Sequence, residues 1–148
     1  MRRKHVGSDR RVLLVLLVLA TACAERGPVA PPGIFFPTVP IGDAYPAGEI
    51  EGTFAERSGC LFVEATGDRW LLLWPEGASA RMVDGVIEVL DEDGEVVARE
   101  GGPVRFGGGE RNPLEMGGEA KAEASVTELT GLDIPERCGD LYWLVSPF

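Results

Sequence analysis

From residue 49 onward the apolar residues fall into short runs, each bounded by glycine, proline or a charged turn. Residues 49–54 and Cys60–Ala65 flank Ala55-Glu56-Arg57-Ser58-Gly59, where Ser-Gly marks a turn or bulge between two strands. Arg69-Trp70-Leu71-Leu72-Leu73-Trp74 is apolar on both faces and is stopped by Pro75-Glu76-Gly77. A run that short predicts a buried central strand rather than a helix. Val86–Leu90 and residues 95–99, joined by Asp91-Glu92-Asp93-Gly94, predict a hairpin turning at Asp93-Gly94 with Gly94 at positive φ. Residues 103–106 and 141–145 give two further short strands. Between them Gly107-Gly108-Gly109 opens a loop that runs to Gly117-Gly118, and residues 119–129, alternating Ala with charge, predict one short helix before Gly131. The fold class is therefore all-β with one short helix. A small OB-like β-barrel fits best because closure leaves no exposed edges; a β-sandwich is the alternative.

The start of the chain is patterned differently. Arg2, Arg3, Lys4, Arg10 and Arg11 precede an eleven-residue apolar stretch, 12–22, broken only by Thr21. A membrane-spanning helix needs ~20 apolar residues, so residues 1–22 predict a signal peptide that is removed on export. Leu19-Ala20-Thr21-Ala22-Cys23 resembles the end of the signal peptide in bacterial lipoprotein precursors, where cleavage before a Cys leaves it as a diacylated N-terminus. Ala20 stands where that family prefers Leu. The resemblance covers residues 1–23 and implies lipidation at Cys23 and attachment to a membrane at the bacterial cell envelope. Ala20-Thr21-Ala22 and Ala22-Cys23-Ala24 also fit the cleavage site of an ordinary secreted protein, the alternative localisation.

Cysteine arithmetic bears on the same question. An exported chain with three cysteines leaves one unpaired, and lipidation of Cys23 removes the oddity. Cys60 and Cys138 are then the natural disulfide, tying an early strand to the approach to the last one. Six of the eleven prolines lie between Ala24 and Gly48. That segment reads as an extended spacer without a paired strand, although the adjacent Phe35 and Phe36 suit docking onto the domain or a partner better than solvent. The expected organisation is a signal peptide at 1–22, a lipidated Cys and Pro-rich tether at 23–48, and a barrel domain at 49–148.

Loss of 22 residues from 148 leaves 126, enough for one domain. Nine basic residues then face 23 acids, a formal charge of −14. Nucleic acid is excluded as a partner on that balance, since its binding rests on Lys and Arg neutralising phosphates. The only histidine, His5, leaves with the signal. Ser-His-Asp and Cys-His catalysis and histidine-based zinc sites go with it, and no Ser-x-x-Lys spacing serves the sole lysine of the mature chain, Lys121. No catalytic residue, metal or cofactor is expected.

Weaker features remain. Asp91, Asp93 and Glu95 alternate as in a calcium loop, but the position of the distal Glu is Gly102, so a plain turn is the better reading. Trp70 and Trp74 share a strand face and, with Tyr142 or Trp143, suit either core packing or an aromatic platform for sugar or peptide. Glu110, Arg111 and Asn112, in the glycine-bounded loop, are the candidate binding residues. At Gly59-Cys60-Leu61, Leu73-Trp74-Pro75-Glu76-Gly77, Gly107-Gly108-Gly109-Glu110 and Cys138-Gly139-Asp140-Leu141-Tyr142-Trp143 the domain is similar to small exported domains of uncharacterised bacterial proteins. That likeness implies only that these glycines and cysteines shape the fold. The functional expectation is a lipid-anchored, non-enzymatic envelope module that binds an envelope protein or glycan. The alternative is a carboxylate-dependent hydrolase of envelope glycans, using acids such as Glu64, Asp68 or Glu110.

Overall fold

A run of leucines that is apolar on both sides needs a covered surface on each, and the fold supplies both. The computed structural model describes residues 29–42, 45–111, 118–139 and 141–148. Cys23, the signal segment and Asn112 lie outside them. The described residues form strands β1 (Thr38–Val39), β2 (Gly48–Arg57), β3 (Cys60–Ala65), β4 (Asp68–Pro75), β5 (Ser79–Val83), β6 (Val86–Leu90), β7 (Val96–Arg99), β8 (Pro103–Arg111) and β9 (Tyr142–Val145). One helix, α1 (Glu119–Thr130), and a 3-10 turn (Glu136–Cys138) precede β9.

Five strands close into a ring in the order β4, β3, β2, β8, β9. Four of its pairings are antiparallel, and β9 closes the ring by pairing parallel to β4, with Leu71, Leu72 and Leu73 opposite Tyr142, Trp143 and Leu144. The closed ring decides for the OB-like barrel over the sandwich. Alternation along β4 then explains its leucines. Leu72 and Trp74 point into the barrel with Leu61, Val63, Phe54, Trp143 and Val145. Leu71 and Leu73 point outward with Phe62, Tyr142 and Leu144, where Ala122 and Val126 of α1 cover them. Ala122 and Val126 are one helical turn apart, the spacing that puts both on the buried stripe. Gly131 ends the helix in the left-handed conformation, φ 68.

Cys60 and Cys138 are joined, with Cα atoms 5.5 Å apart across 78 residues. The bridge fastens the start of β3 to the 3-10 turn below α1, as the cysteine count anticipated. In the chain-entropy model a loop of that length restricts the unfolded chain by about 4.5 kcal/mol.

Three expectations need correction. The Pro-rich segment is not unpaired. Thr38 and Val39 pair parallel to Trp74 and Pro75, and Phe35 bridges to Cys60. The amide of Phe35 donates to Gly59 O at 2.7 Å while that of Trp74 donates to Pro37 O at 2.9 Å. The segment thus wedges between the start of β3 and the end of β4, where those strands splay apart. Proline is tolerated because the chain there uses its carbonyls as acceptors on neighbouring strands. Phe36 and Val39 are buried, so the packed unit begins before residue 48.

The glycine run is not a loop. Residues 107–109 lie within β8, and Gly108 pairs with both Gly48 and Val145. A side chain at Gly108, φ 140, would strike the carbonyl of Leu144. Absence of Cβ lets β9 approach closely enough to close the ring.

The third correction is an omission. β5 pairs with β6 as a hairpin through Asp84-Gly85, and β7 completes a second, three-stranded sheet. Ala80, Ile87, Val89 and Ala98 of this sheet join the barrel's interior cluster. Its other face carries Glu88, only 5% exposed, held at 2.8 Å by Arg81 and 3.2 Å by Arg99 on the flanking strands. The β6–β7 turn forms where the sequence places it, with Gly94 at φ 84.

Candidate functional site

The barrel interior is filled. Trp74 is fully buried, stacked on Phe36 at 5.5 Å and 8°, with Phe54 and Phe106 edge-on at 6.1 and 5.5 Å. Such offset and T-shaped contacts add to the burial of aromatic area. Trp70 packs edge-on against Trp143 at 6.3 Å and is only half-buried. The tryptophans therefore serve the core, and no exposed aromatic platform forms.

The other sequence candidates scatter. Glu110 and Arg111 lie on β8 opposite Trp143 and Tyr142, while Asn112 falls outside the described residues. Glu64 is engaged by Arg57 at 3.2 Å across the β2–β3 pair. Glu64 and Asp68 line an open hollow at the β3–β4 turn, to which Glu110 does not contribute. Asp91 is committed to the turn it opens, since its Oδ1 accepts from the amides of Asp93 at 3.0 Å and Glu95 at 2.8 Å. This geometry is an Asx turn, the local use of aspartate expected in a tight hairpin.

One cleft brings together residues that sequence reasoning never grouped. It lies at the end of the barrel where β4 leaves the ring. Its apolar lining includes Ile41, Ala78 and Phe148. Ile41 and Phe148 are 52% and 53% exposed, unusually open for large apolar side chains. Phe148 is braced edge-on by Phe106 at 6.4 Å, which connects the cleft wall to the aromatic core. The rim carries Glu76, Asp91, Glu92 and Asp93, and among the described residues no basic one lines it.

Each wall is fixed by backbone. The amide of Glu76 donates to Val39 O at 2.8 Å, so the docked N-terminal segment positions the first acid. The amide of Ala78 donates to Pro75 O at 3.1 Å, turning the chain directly after β4. An added Cβ at Gly77 would stand 3.2 Å from Glu92 Cβ, so the glycine lets the two acid-bearing turns approach. A wider hollow continues from this cleft past Thr38 and Ser79 to Val29. The carboxylates on this rim add to the negative field of the whole chain, formal charge −10, and favour a cation in the cleft.

A different acid cluster is satisfied internally. On the outer face of β2 and β8, Arg105 bonds Glu49 at 2.7 Å and Glu51 at 3.1 Å. The hydrogen bond from Arg105, reinforced by its charge, holds the Glu49 carboxyl below the usual carboxylate range. Among the described residues no group of His, Cys, Asp and Glu is arranged to hold a metal ion.

Composition hinted at the cleft only through the density of acids around residues 91–93. Ile41 and Phe148 carry no sequence signal, because their roles depend on where the two flanks of the domain converge. No family model, curated protein or solved structure matches the chain.

Proposed function

We propose that this chain is an exported, lipid-anchored protein of the bacterial cell envelope, a non-enzymatic binding module whose acid-rimmed cleft takes basic side chains of another envelope protein. The observation that carries the binding reading is the cleft itself. It combines an apolar floor at Ile41, Ala78 and Phe148 with Glu76, Glu92 and Asp93 at the rim. An aliphatic stem packs on such a floor while its ammonium or guanidinium head meets the acids, the way lysine and arginine side chains divide their polarity.

Export and anchoring are supported by the basic start, the apolar stretch 12–22 and Ala22-Cys23. The Cys60–Cys138 bridge accords with an oxidising compartment and leaves Cys23 as the odd cysteine. Glu64 is paired with Arg57, and Glu110 lies outside the open hollow that Glu64 shares with Asp68, so the hydrolase alternative has no observation of its own.

Titration calorimetry with a hexalysine peptide at low salt tests the binding reading. Binding to the wild-type domain should weaken about tenfold in Glu76→Gln/Glu92→Gln, a change of about 1.4 kcal/mol. Equal affinity of the wild type and the double variant, or equal loss in Glu49→Gln/Glu51→Gln on the remote face, overturns it.

A further inference from the structure

The docked N-terminal segment shortens the free tether, and that fixes which face of the domain meets the membrane. Read from composition, residues 24–48 make a long spacer, and 25 residues of extended chain reach about 75 Å at ~3.1 Å each. The fold removes most of that length. Val29 is pinned by its carbonyl, which accepts from the amide of Ala80 on β5 at 2.7 Å, and residues 35–39 are bound to β3 and β4. Only six residue steps separate Cys23 from Val29. At most ~3.6 Å per step, they span about 20 Å.

We infer that the domain lies against the bilayer with the Val29 face toward it, so that the cleft opens at the headgroup level of the membrane. Val29 and Ile41 line the same hollow, which is continuous with the acid-rimmed cleft through Glu76, Ala78 and Glu92. Val29 and Ile41 are 51% and 52% exposed, an apolar edge on the side from which the anchor departs. The opposite end of β4, at Asp68, is seven residue steps from Pro75 along the strand, about 23 Å at ~3.3 Å per residue. That end faces away from the lipid. Acids held near anionic headgroups are repelled unless basic groups lie between. The partner of the cleft is therefore a basic segment of a membrane-embedded protein, presented at the surface of the bilayer.

This inference rests on the lipid-anchor reading, and the experiment separates the two. The lipidated protein carrying a donor dye at Ile41→Cys or at Asp68→Cys, both exposed positions, is reconstituted into phosphatidylcholine vesicles with headgroup-labelled acceptors. Flotation with the vesicles that Cys23→Ser abolishes supports the anchor; failure of the wild type to float overturns the anchor and the inference together. Among floating proteins, energy transfer should be about two-fold higher from position 41 than from position 68, because position 41 lines the membrane-facing hollow and position 68 lies at the far end of β4. A 25-residue Gly-Ser insertion between Glu25 and Arg26 should erase that difference while flotation persists. Equal or reversed transfer without the insertion, in protein that floats, overturns the orientation and leaves the anchor standing.

Discussion

Trp74 concentrates the logic of this chain in one side chain. It ends the apolar strand, fills the barrel against Phe36, Phe54 and Phe106, and lends its amide to the carbonyl of Pro37. Its indole N–H is buried without a hydrogen-bond partner, a cost of about 1 to 3 kcal/mol that the surrounding aromatic packing offsets. Glu49 shows the opposite economy, an exposed acid whose state is set by a neighbour. Its carboxyl is held low by Arg105, so the contact contributes stability above the ordinary carboxylate range and loses it as pH falls through the depressed folded value. Arg105→Gln should return the Glu49 titration upward toward the ordinary range, as followed by NMR of its carboxyl carbon. An unchanged Glu49 titration would mean that another group holds it.

At the scale of elements, the N-terminal wedge and β8 are where composition and structure part. β3 and the β6–β7 hairpin were legible because each short apolar run is bounded by turn residues, Ser58-Gly59 before β3 and Asp93-Gly94 within the hairpin. The two-sided leucine run was legible for a related reason, since burial on both faces leaves a continuous apolar stretch. Residues 107–109 carry no such mark. Glycine disfavours strands locally, and Gly108 is there for what it omits, a Cβ against Leu144. The proline segment misleads likewise, because proline forbids donating to a ladder but not accepting from one. Phe35 and Phe36 gave the one hint that this segment docks. The cleft was illegible because Ile41, Glu76, Glu92 and Phe148 come from four separate stretches of chain and meet only when the wedge and the ring are both in place. Phe36→Ala should therefore act as a core truncation, costing about 3 to 5 kcal/mol by urea denaturation. A loss below about 0.5 kcal/mol, the range of surface substitutions, would return the segment to the status of a free tether.

As a whole molecule, the chain combines a closed barrel, a long disulfide and an acidic composition, to which the proposal adds lipidation at Cys23. The bridge from β3 to the 3-10 turn and the wedge between β3 and β4 fasten the same corner. The acidic charge suits the proposed partner, basic and close to the bilayer. Membrane placement underlies both the binding reading and the orientation, and the mature N-terminus tests it most directly. Mass spectrometry of the tryptic N-terminal peptide from the membrane fraction should find residues 23–26, beginning at Cys23 and carrying a diacylglyceryl group. An N-terminus at any other residue, or an unmodified Cys23, would contradict the account.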